Sequence, residues 1–591
     1  MQSQKYGATH AVKICFHHAP VAAFIKLAIE LVNGALIPLM VLVVASFIDN
    51  AITFVNENGH IMPIIIAIAL MAGYYAYSQV SQIVVRIADK ALETALREKL
   101  RPQLVRKQAS VSYALLESAE TMDLITLVCG NAEGRMMAIL NTGISIIRLA
   151  IQAVGILYLL AAHIWWMLPL FIISAIPITL IARRGGRAIY ARDKITIKLT
   201  RKHYYLSSIL VGRETAAERT LFGYADNINR KYSATHLKRS NMNTKTIAIE
   251  EIAVNACGLI VNALVIVAVI ALLNPVGNGT ISHGLYVSLV GALIGLARMI
   301  TGYVSRLVSD ATGYIAYMRD YTRFLALPET EAGVEHIGIK ANISFSRLDI
   351  RNLRFRYTTD SDYVLNGVSL IIEKGRSYSL IGRNGAGKST LTKILLGLYR
   401  DFEGEILING VDISEYSTDE LRRIFSIVYQ DFAKYYIPLG DNITLGNKHG
   451  DLDSCLRLAE LEDVVDKLSQ KAKTPLGKIY DGGADISGGE WQKIAIARAL
   501  YANTLFMILD EPTASLSPLM ESKLYRRFAE ITKEKTSLLI SHRLGSTKLS
   551  DVLLVLDSGV IAETGTHDEL MEANGIYAEM FKSQRSWYDE R

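Results

Sequence analysis

Cysteine is scarce: the 591 residues hold four, Cys15, Cys129, Cys257 and Cys455, widely spaced and without metal-ligand pairing. Neither a disulfide framework nor a zinc site is indicated. Charge is scarce as well. Only 20% of residues are charged while 50% are hydrophobic, and the mean hydropathy is +0.24. That composition is too apolar for a purely soluble enzyme, and the length implies more than one domain. No patch interleaves basic and aromatic side chains as a nucleic-acid surface would, so nucleic acid is not an expected partner. The N-terminus lacks a tidy small-residue cleavage site, and the apolar run Val21 to Ile48 is longer than a signal-peptide core. Lys5, Lys13, His17 and His18 among alanines and aromatics predict an amphipathic helix at a membrane surface over residues 1–20. The paired histidines read as surface residues rather than ligands.

What is abundant is apolar sequence in long runs. Six of them, at about 21–48, 61–85, 135–161, 164–182, 252–274 and 283–307, each approach or exceed the ~20 residues a bilayer core requires. The loops 49–60, 162–165 and 274–283 contain no Lys or Arg and are predicted to face outward. Segments 86–134 and 183–250 are rich in both, which places them, and with them both termini, in the cytoplasm. Both segments are helix-compatible and poor in Pro and Gly, so the membrane helices are expected to continue well beyond the bilayer. Plausible turning points lie at 112–120 and 211–219, where a short helix could press on a partner domain; a solvated helical face with i,i+4 charge pairs is the alternative.

Polar residues inside apolar runs are costly: Lys26, Glu30, Asn33, Arg148, Gln152, Asn255, Asn262 and Arg298. Lys26 and Glu30 read as pairing or snorkelling near a helix end. Arg148, Gln152 and Arg298 are candidates for lining a substrate cavity, with helix locking as the alternative.

Beyond Pro328 the pattern changes to short β-type runs and amphipathic helices. Here the stretch Gly382-Arg-Asn384-Gly385-Ala-Gly387-Lys388-Ser389-Thr390 follows an apolar strand and opens a helix. Glycines let backbone N–H groups turn toward phosphates, the helix aims its positive end at them, Lys388 adds a mobile charge, and Ser389 offers a hydroxyl to Mg²⁺. Ile486-Ser487-Gly488-Gly489-Glu490, the run Leu505 to Asp510-Glu511, and Ser541-His542-Arg543 follow in that order.

Together these motifs resemble the ATPase of ABC transporters, and with six spans ahead of it the chain resembles a type IV exporter half-transporter over essentially its full length. The resemblance implies a multidomain chain, an all-α six-helix transmembrane domain followed by an α/β P-loop ATPase domain. The parts run as N-terminal helix (1–20), transmembrane domain (21–325), linker (326–339) and nucleotide-binding domain (340–591). It implies ATP and Mg²⁺ as ligands. Tyr357 matches the aromatic on which adenine stacks, Asp510 the Mg²⁺ carboxylate, Glu511 the general base, and His542 the γ-phosphate contact. Gln430 matches the residue that senses Mg²⁺ and γ-phosphate while touching the membrane domain. Ser487, Gly488 and Gly489 would bind the γ-phosphate held by another copy, so a homodimer with two composite sites is the simplest assembly, with a heterodimer as the alternative.

Three departures stand out. Glu490 replaces the usual Gln and adds a negative charge near the nucleotide interface, Ser517 stands where an Asp is usual, and Asp481-Gly-Gly-Ala-Asp485 replaces the commoner threonine-valine-glycine-glutamate pattern. The segments Gln430 to Tyr435 and Gly488 to Lys493 are similar to those of bacterial exporters of lanthipeptides and other ribosomal peptides. That resemblance implies peptide export through the bacterial cytoplasmic (inner) membrane. With so short an N-terminus, a leader-cleaving peptidase domain is not expected, and any leader is expected to be removed by another protein. A lipid flippase or multidrug exporter of the same architecture is the alternative, and an ATP-gated regulator or sensor is a third reading against which Glu511 argues.

Overall fold

The computed structural model describes residues 6–57, 59–329, 343–446, 450–479, 481–510, 530, 535–541 and 547–589. It separates into two compact units, Met1–Val111 with Leu115–Pro328, and Ser112–Ala114 with Glu329–Arg591. The expected linker falls largely outside the described residues.

The first unit is helical. A short helix α1 (Ala8–His18) precedes α2 (Pro20–Glu57), α3 (Met62–Ser110), α4 (Ala132–Ile164), α5 (Leu168–Val211), α6 (Ala225–Ala271), α7 (His283–Arg298) and α8 (Ser305–Leu325). Five continuous helical stretches are long and apolar enough to cross a membrane, and the longest, Ala132–Val211, is interrupted at Trp165–Met167. This makes six passes among the described residues. The break lies slightly later than the Ala162-His163 boundary that the apolar pattern suggested. Pro169 in the first turn of α5 explains it, because proline suits a helix start, where its missing N–H has no partner to lose. A six-residue π turn, Met299–Val304, joins α7 to α8 within the last pass. Short helices at Tyr113–Leu116 and Ala216–Phe222 occupy the two expected turning points, the second closed by Gly223 at φ +62°.

Leu92, Leu96, Leu100 and Leu104 repeat every four residues along α3 and form one buried stripe. They share a core with Met136 and Leu140 of α4 and with Tyr317 and Phe324 of α8. Ala11 and Cys15 bury one face of α1 in the same core, so α1 packs on helices as well as presenting a polar face. A second core joins Ile156 and Leu160 of α4, Phe171 and Ile178 of α5, Val261 of α6 and Leu293 of α7.

Helices α2 and α4 meet through glycine. A Cβ on Gly155 would stand 2.4 Å from Pro38 Cγ, and one on Gly34 would stand 2.8 Å from the Arg148 carbonyl oxygen. Close approach brings charges together. Arg148 lies 3.3 Å from Glu30, and Lys26 pairs with Asp89 while donating to Asn141 at 2.7 Å. Lys26 and Glu30 thus pair across helices rather than with each other. At the other end of α2, Asp49 accepts from the Gly284 backbone N–H at 2.7 Å and from the Ser282 hydroxyl, tying α2 to the start of α7.

Among its described residues the second unit holds two sheets. An antiparallel one has the order β2-β1-β4-β5, from β1 (Arg347–Phe355), β2 (Leu365–Glu373), β4 (Glu403–Ile408) and β5 (Val411–Asp412). The other has the order β10-β9-β3-β8-β7-β6. Its members are β3 (Ser377–Ile381), β6 (Phe425–Val428), β7 (Phe506–Asp510), β8 (Thr536–Ile540), β9 (Val552–Asp557) and β10 (Val560–Gly565). Strands β9, β3, β8, β7 and β6 are parallel, with only β10 antiparallel. Helix α9 (Lys388–Leu395) buries Leu391 and Ile394 in a core shared by both sheets. Helix α10 (Gly488–Tyr501) buries Trp491 and Ile494 in a separate core with Leu439 and Leu456.

The glycine interlock is testable. Gly155→Val overpacks the α2–α4 contact and is expected to cost about 1–3 kcal/mol, read as a lower melting temperature of the purified protein. Gly143→Ala, where a Cβ meets nothing within 4 Å, should not lower stability and by helix propensity should raise it slightly.

Candidate functional site

In a parallel sheet every strand delivers its successor loop to the same edge, and ligands gather there. Register places Leu380 of β3 beside Ile540 of β8, Ile540 beside Asp510 of β7, and Leu509 beside Val428 of β6. The glycine loop after β3, Ser541 after β8, Asp510 at the end of β7 and Gln430 after β6 therefore share one edge. Glu511, His542 and Ser517 lie outside the described residues.

The loop itself has the backbone its chemistry requires. Gly385 and Gly387 adopt φ of +81° and +106°, the left-handed region that glycine alone enters freely. A Cβ on Gly387 would meet Leu365 Cδ2 at 2.6 Å, so a side chain is excluded on space as well. Lys388 is buried and donates to the carbonyl oxygens of Gly382 at 2.8 Å and Arg383 at 3.1 Å, curling back along its own loop. Asn384, Gly385 and Ser389 are exposed, while Thr390 is buried. Asp510 is 7% exposed at the end of a wholly buried strand. An exposed Ser389 hydroxyl and the Asp510 carboxylate form an all-oxygen donor pair, which suits Mg²⁺ rather than a softer metal.

Tyr357, two residues past β1, is 46% exposed, and its hydroxyl lies 2.8 Å from Thr390 Oγ1. Edge contacts to Phe355 at 5.2 Å and Tyr399 at 5.5 Å hold the ring. It stands as a half-exposed aromatic fixed to the second residue after the loop lysine.

Ser487, Gly488 and Gly489 are not joined to that loop. Ser487 is the N-cap of α10 and Gly488 its first residue, both exposed. Ser487 Oγ accepts from the Glu490 N–H at 3.3 Å, and Glu490 Oε2 accepts from the Ser487 N–H at 2.6 Å. Glu490 is thus half of a capping box, a role that the S-x-x-E spacing carries and that the reading of Glu490 as an added interface charge overlooked. The remaining donors at the start of α10 are left to face an anion.

Sequence reasoning also passed over Arg498 and its contact with Asn442. Arg498 donates to Asn442 O at 2.8 Å, Asn442 Oδ1 at 2.7 Å and Ala433 O at 2.7 Å, and lies over the Tyr435 ring at 4.8 Å. Asn442 is fully buried and donates to Tyr435 O and Ile437 O. The stretch after Gln430 is therefore clamped to α10. Beside it, Tyr429, Phe432, Tyr435 and Arg498 line a groove of about 950 Å³. Burial, with the negative charge of Asp510 adding to it, raises the Tyr429 phenol above its ordinary pKa.

In the helical unit, Arg148 lines a cavity of about 430 Å³ with Glu30, Asn33, Ser78 and Arg86; Gln152 and Arg298 are not among its lining residues, and Arg298 is exposed.

Residues 365–514 match the sequence profile of the ABC transporter family. The chain is 27% identical over 584 residues to the subtilin transport ATP-binding protein SpaT of Bacillus subtilis, covering 95% of this chain and 91% of the relative. It is 26% identical over 558 residues to an ATP-dependent lipid A-core flippase of Pseudoalteromonas translucida, covering 91% of each. A bacterial Atm1-family ABC exporter solved with ATP bound shares the fold, with a TM-score of 0.72, 22% identity, and coverage of 96% of this chain and 98% of that one.

Two substitutions separate the roles of Tyr357. If its ring is a stacking platform, Tyr357→Ala should weaken ATP binding by about 1–3 kcal/mol, whereas Tyr357→Phe keeps the ring and stays near wild type in equilibrium ATP titrations. Equal losses in both would instead assign the effect to the Thr390 hydrogen bond.

Proposed function

The chain belongs to the ABC transporters, with a helical membrane half and an ATPase half in one polypeptide, and from that premise we propose that it exports an amphiphilic modified or antimicrobial peptide from the bacterial cytoplasm. Binding and hydrolysis of ATP drive it. The likeness to a subtilin transport protein over 95% of the chain carries this reading, because it takes in the membrane half as well as the ATPase. The flippase match of nearly equal extent makes a lipid the second reading.

In this proposal the glycine-loop N–H groups and Lys388 hold the β- and γ-phosphates, and Lys388 leaves its loop carbonyls to do so. Ser389 and Asp510 would hold Mg²⁺, with Gln430 at the same edge after β6, the strand next to that of Asp510. Held by these residues, a Mg²⁺ ion would supply positive charge against the phosphate groups during hydrolysis. Tyr357 stacks on adenine, Glu511 positions and polarises the attacking water, and His542 contacts the γ-phosphate. Ser487, Gly488 and Gly489 serve the loop of a second copy. The assembly is therefore a homodimer in the cytoplasmic membrane, with both termini and both ATPase halves inside. Closing and release of the paired ATPases alternate the access of a cavity in which Arg148 meets cargo.

ATPase activity in lipid nanodiscs tests the proposal, with Glu511→Gln as the blank at about 10²–10⁴-fold lower turnover. Modified peptides should stimulate hydrolysis. Stimulation by lipids alone would transfer the assignment to a flippase, and hydrolysis by Glu511→Gln at the wild-type rate would remove that residue as the base.

A further inference from the structure

Helices α5 and α6 form an antiparallel pair joined by the short helix Ala216–Phe222. Their non-membrane segment, residues 183–250, carries fifteen Lys and Arg against five Asp and Glu, so this stretch alone is more positive than the whole chain at +6. Such a field is costly to maintain and attracts anions.

Within it lies a pocket of about 280 Å³, lined by Arg192, Asp193 and Thr196 of α5 and by His236, Arg239, Ser240 and Asn243 of α6. The spacing is helical: 192 and 196 share one face, and 236, 239, 240 and 243 share another. Arg192 is the built part. Its side chain is only 12% exposed, and Nη2 lies 2.6 Å from Asp193 Oδ1, itself at the pocket wall. The other carboxylate oxygen of Asp193 faces Arg135 at 3.5 Å. Arg192 Nη1, by contrast, is buried without a hydrogen-bond partner. A guanidinium fork satisfied on one side only is an unusual thing to bury. Arg239 has no carboxylate within ion-pair distance among the described residues, and Ser240 and Asn243 contribute neutral donors. Nearby, His203 stacks on Tyr232 at 4.2 Å and lies 5.6 Å from the His236 ring. Burial first, then the positive field of His236 and Arg239, lowers the pKa of His203.

We propose that this pocket between α5 and α6 binds a phosphate oxyanion, free or at the end of a small molecule, through the open fork of Arg192 and the guanidinium of Arg239. Two cationic forks with hydroxyl and amide donors beside them match a tetrahedral dianion, whose oxygens accept from several directions at once. The site is separate from the ATP loop and does not depend on which cargo is exported.

Calorimetric titration with inorganic phosphate tests it, using the full chain in phosphatidylcholine nanodiscs and a Lys388→Ala background that disables the ATP loop. Arg192→Gln should weaken binding about tenfold or more, the loss of a charge-assisted hydrogen bond. Arg239→Gln, an exposed position where folding is not at stake, should do likewise. Arg230→Gln, exposed on the same helix outside the pocket, should stay within about twofold. Unchanged affinity in both pocket variants overturns the proposal, as does an equal loss in Arg230→Gln, which would mean a diffuse field and no site. Glycerol 3-phosphate and nanodiscs containing phosphatidylglycerol are the discriminating arms. Competition by the first alone identifies a soluble phosphate ester as the occupant, competition by the second identifies a lipid headgroup, and the site stands in either case.

Discussion

Between Ile381 and Lys388 the backbone turns through the left-handed region twice, and Gly387 does so with Leu365 of the neighbouring sheet against the place where a Cβ would be. Much of the ATPase half depends on that turn. It lets β3 run through the interior of a parallel sheet, and it starts α9 so that Leu391 and Ile394 enter the core the two sheets share. In the proposed function the same turn would also present its N–H groups to phosphate, so that one piece of backbone would serve both packing and binding. The strands on the β8 side then bring Ser541, Asp510 and Gln430 to the same edge without any further device.

The membrane half meets a different constraint, the cost of charge among apolar helices. Its solution is proximity. Gly34 and Gly155 let α2 and α4 approach until Arg148 reaches Glu30, and Lys26 is shared between Asp89 and Asn141. Charges that would be expensive alone are held in pairs across helices, where they also fix which helices are neighbours. Beside the Arg148–Glu30 pair lies a cavity whose wall mixes polar side chains such as Asn33 and Ser78 with apolar ones such as Ile37 and Val85.

Six passes, their approximate limits and the order of the ATPase motifs were legible because length, hydropathy and fixed spacing are local properties. The turn at Trp165–Met167 was nearly legible, through Pro169. What depended on tertiary partners was not. Of Arg148, Gln152 and Arg298, only Arg148 lines the 430 Å³ cavity beside Glu30, because helical phase and the neighbouring helix decide which side a residue takes. The curl of Lys388 onto its own loop and the clamp of Arg498 on Asn442 are long-reach or conformational facts without a local signature. Glu490 is the opposite case. Its capping spacing with Ser487 is local and was available in the sequence, but comparison with a family pattern drew attention to its charge and away from its place in the first turn.

In the proposed assembly the loop at Lys388 and the helix start at Ser487 complete each other between two copies of the chain. Complementation tests it most directly: Lys388→Ala and Ser487→Arg chains are purified alone and as mixed assemblies, and steady-state ATP hydrolysis is measured. Each variant alone should remain at background. Mixed assemblies should recover roughly a quarter of the wild-type rate, the share expected for one intact site in half of randomly paired two-fold dimers. No recovery on mixing, with both chains shown to co-purify, would contradict the shared site and leave each chain to build its own.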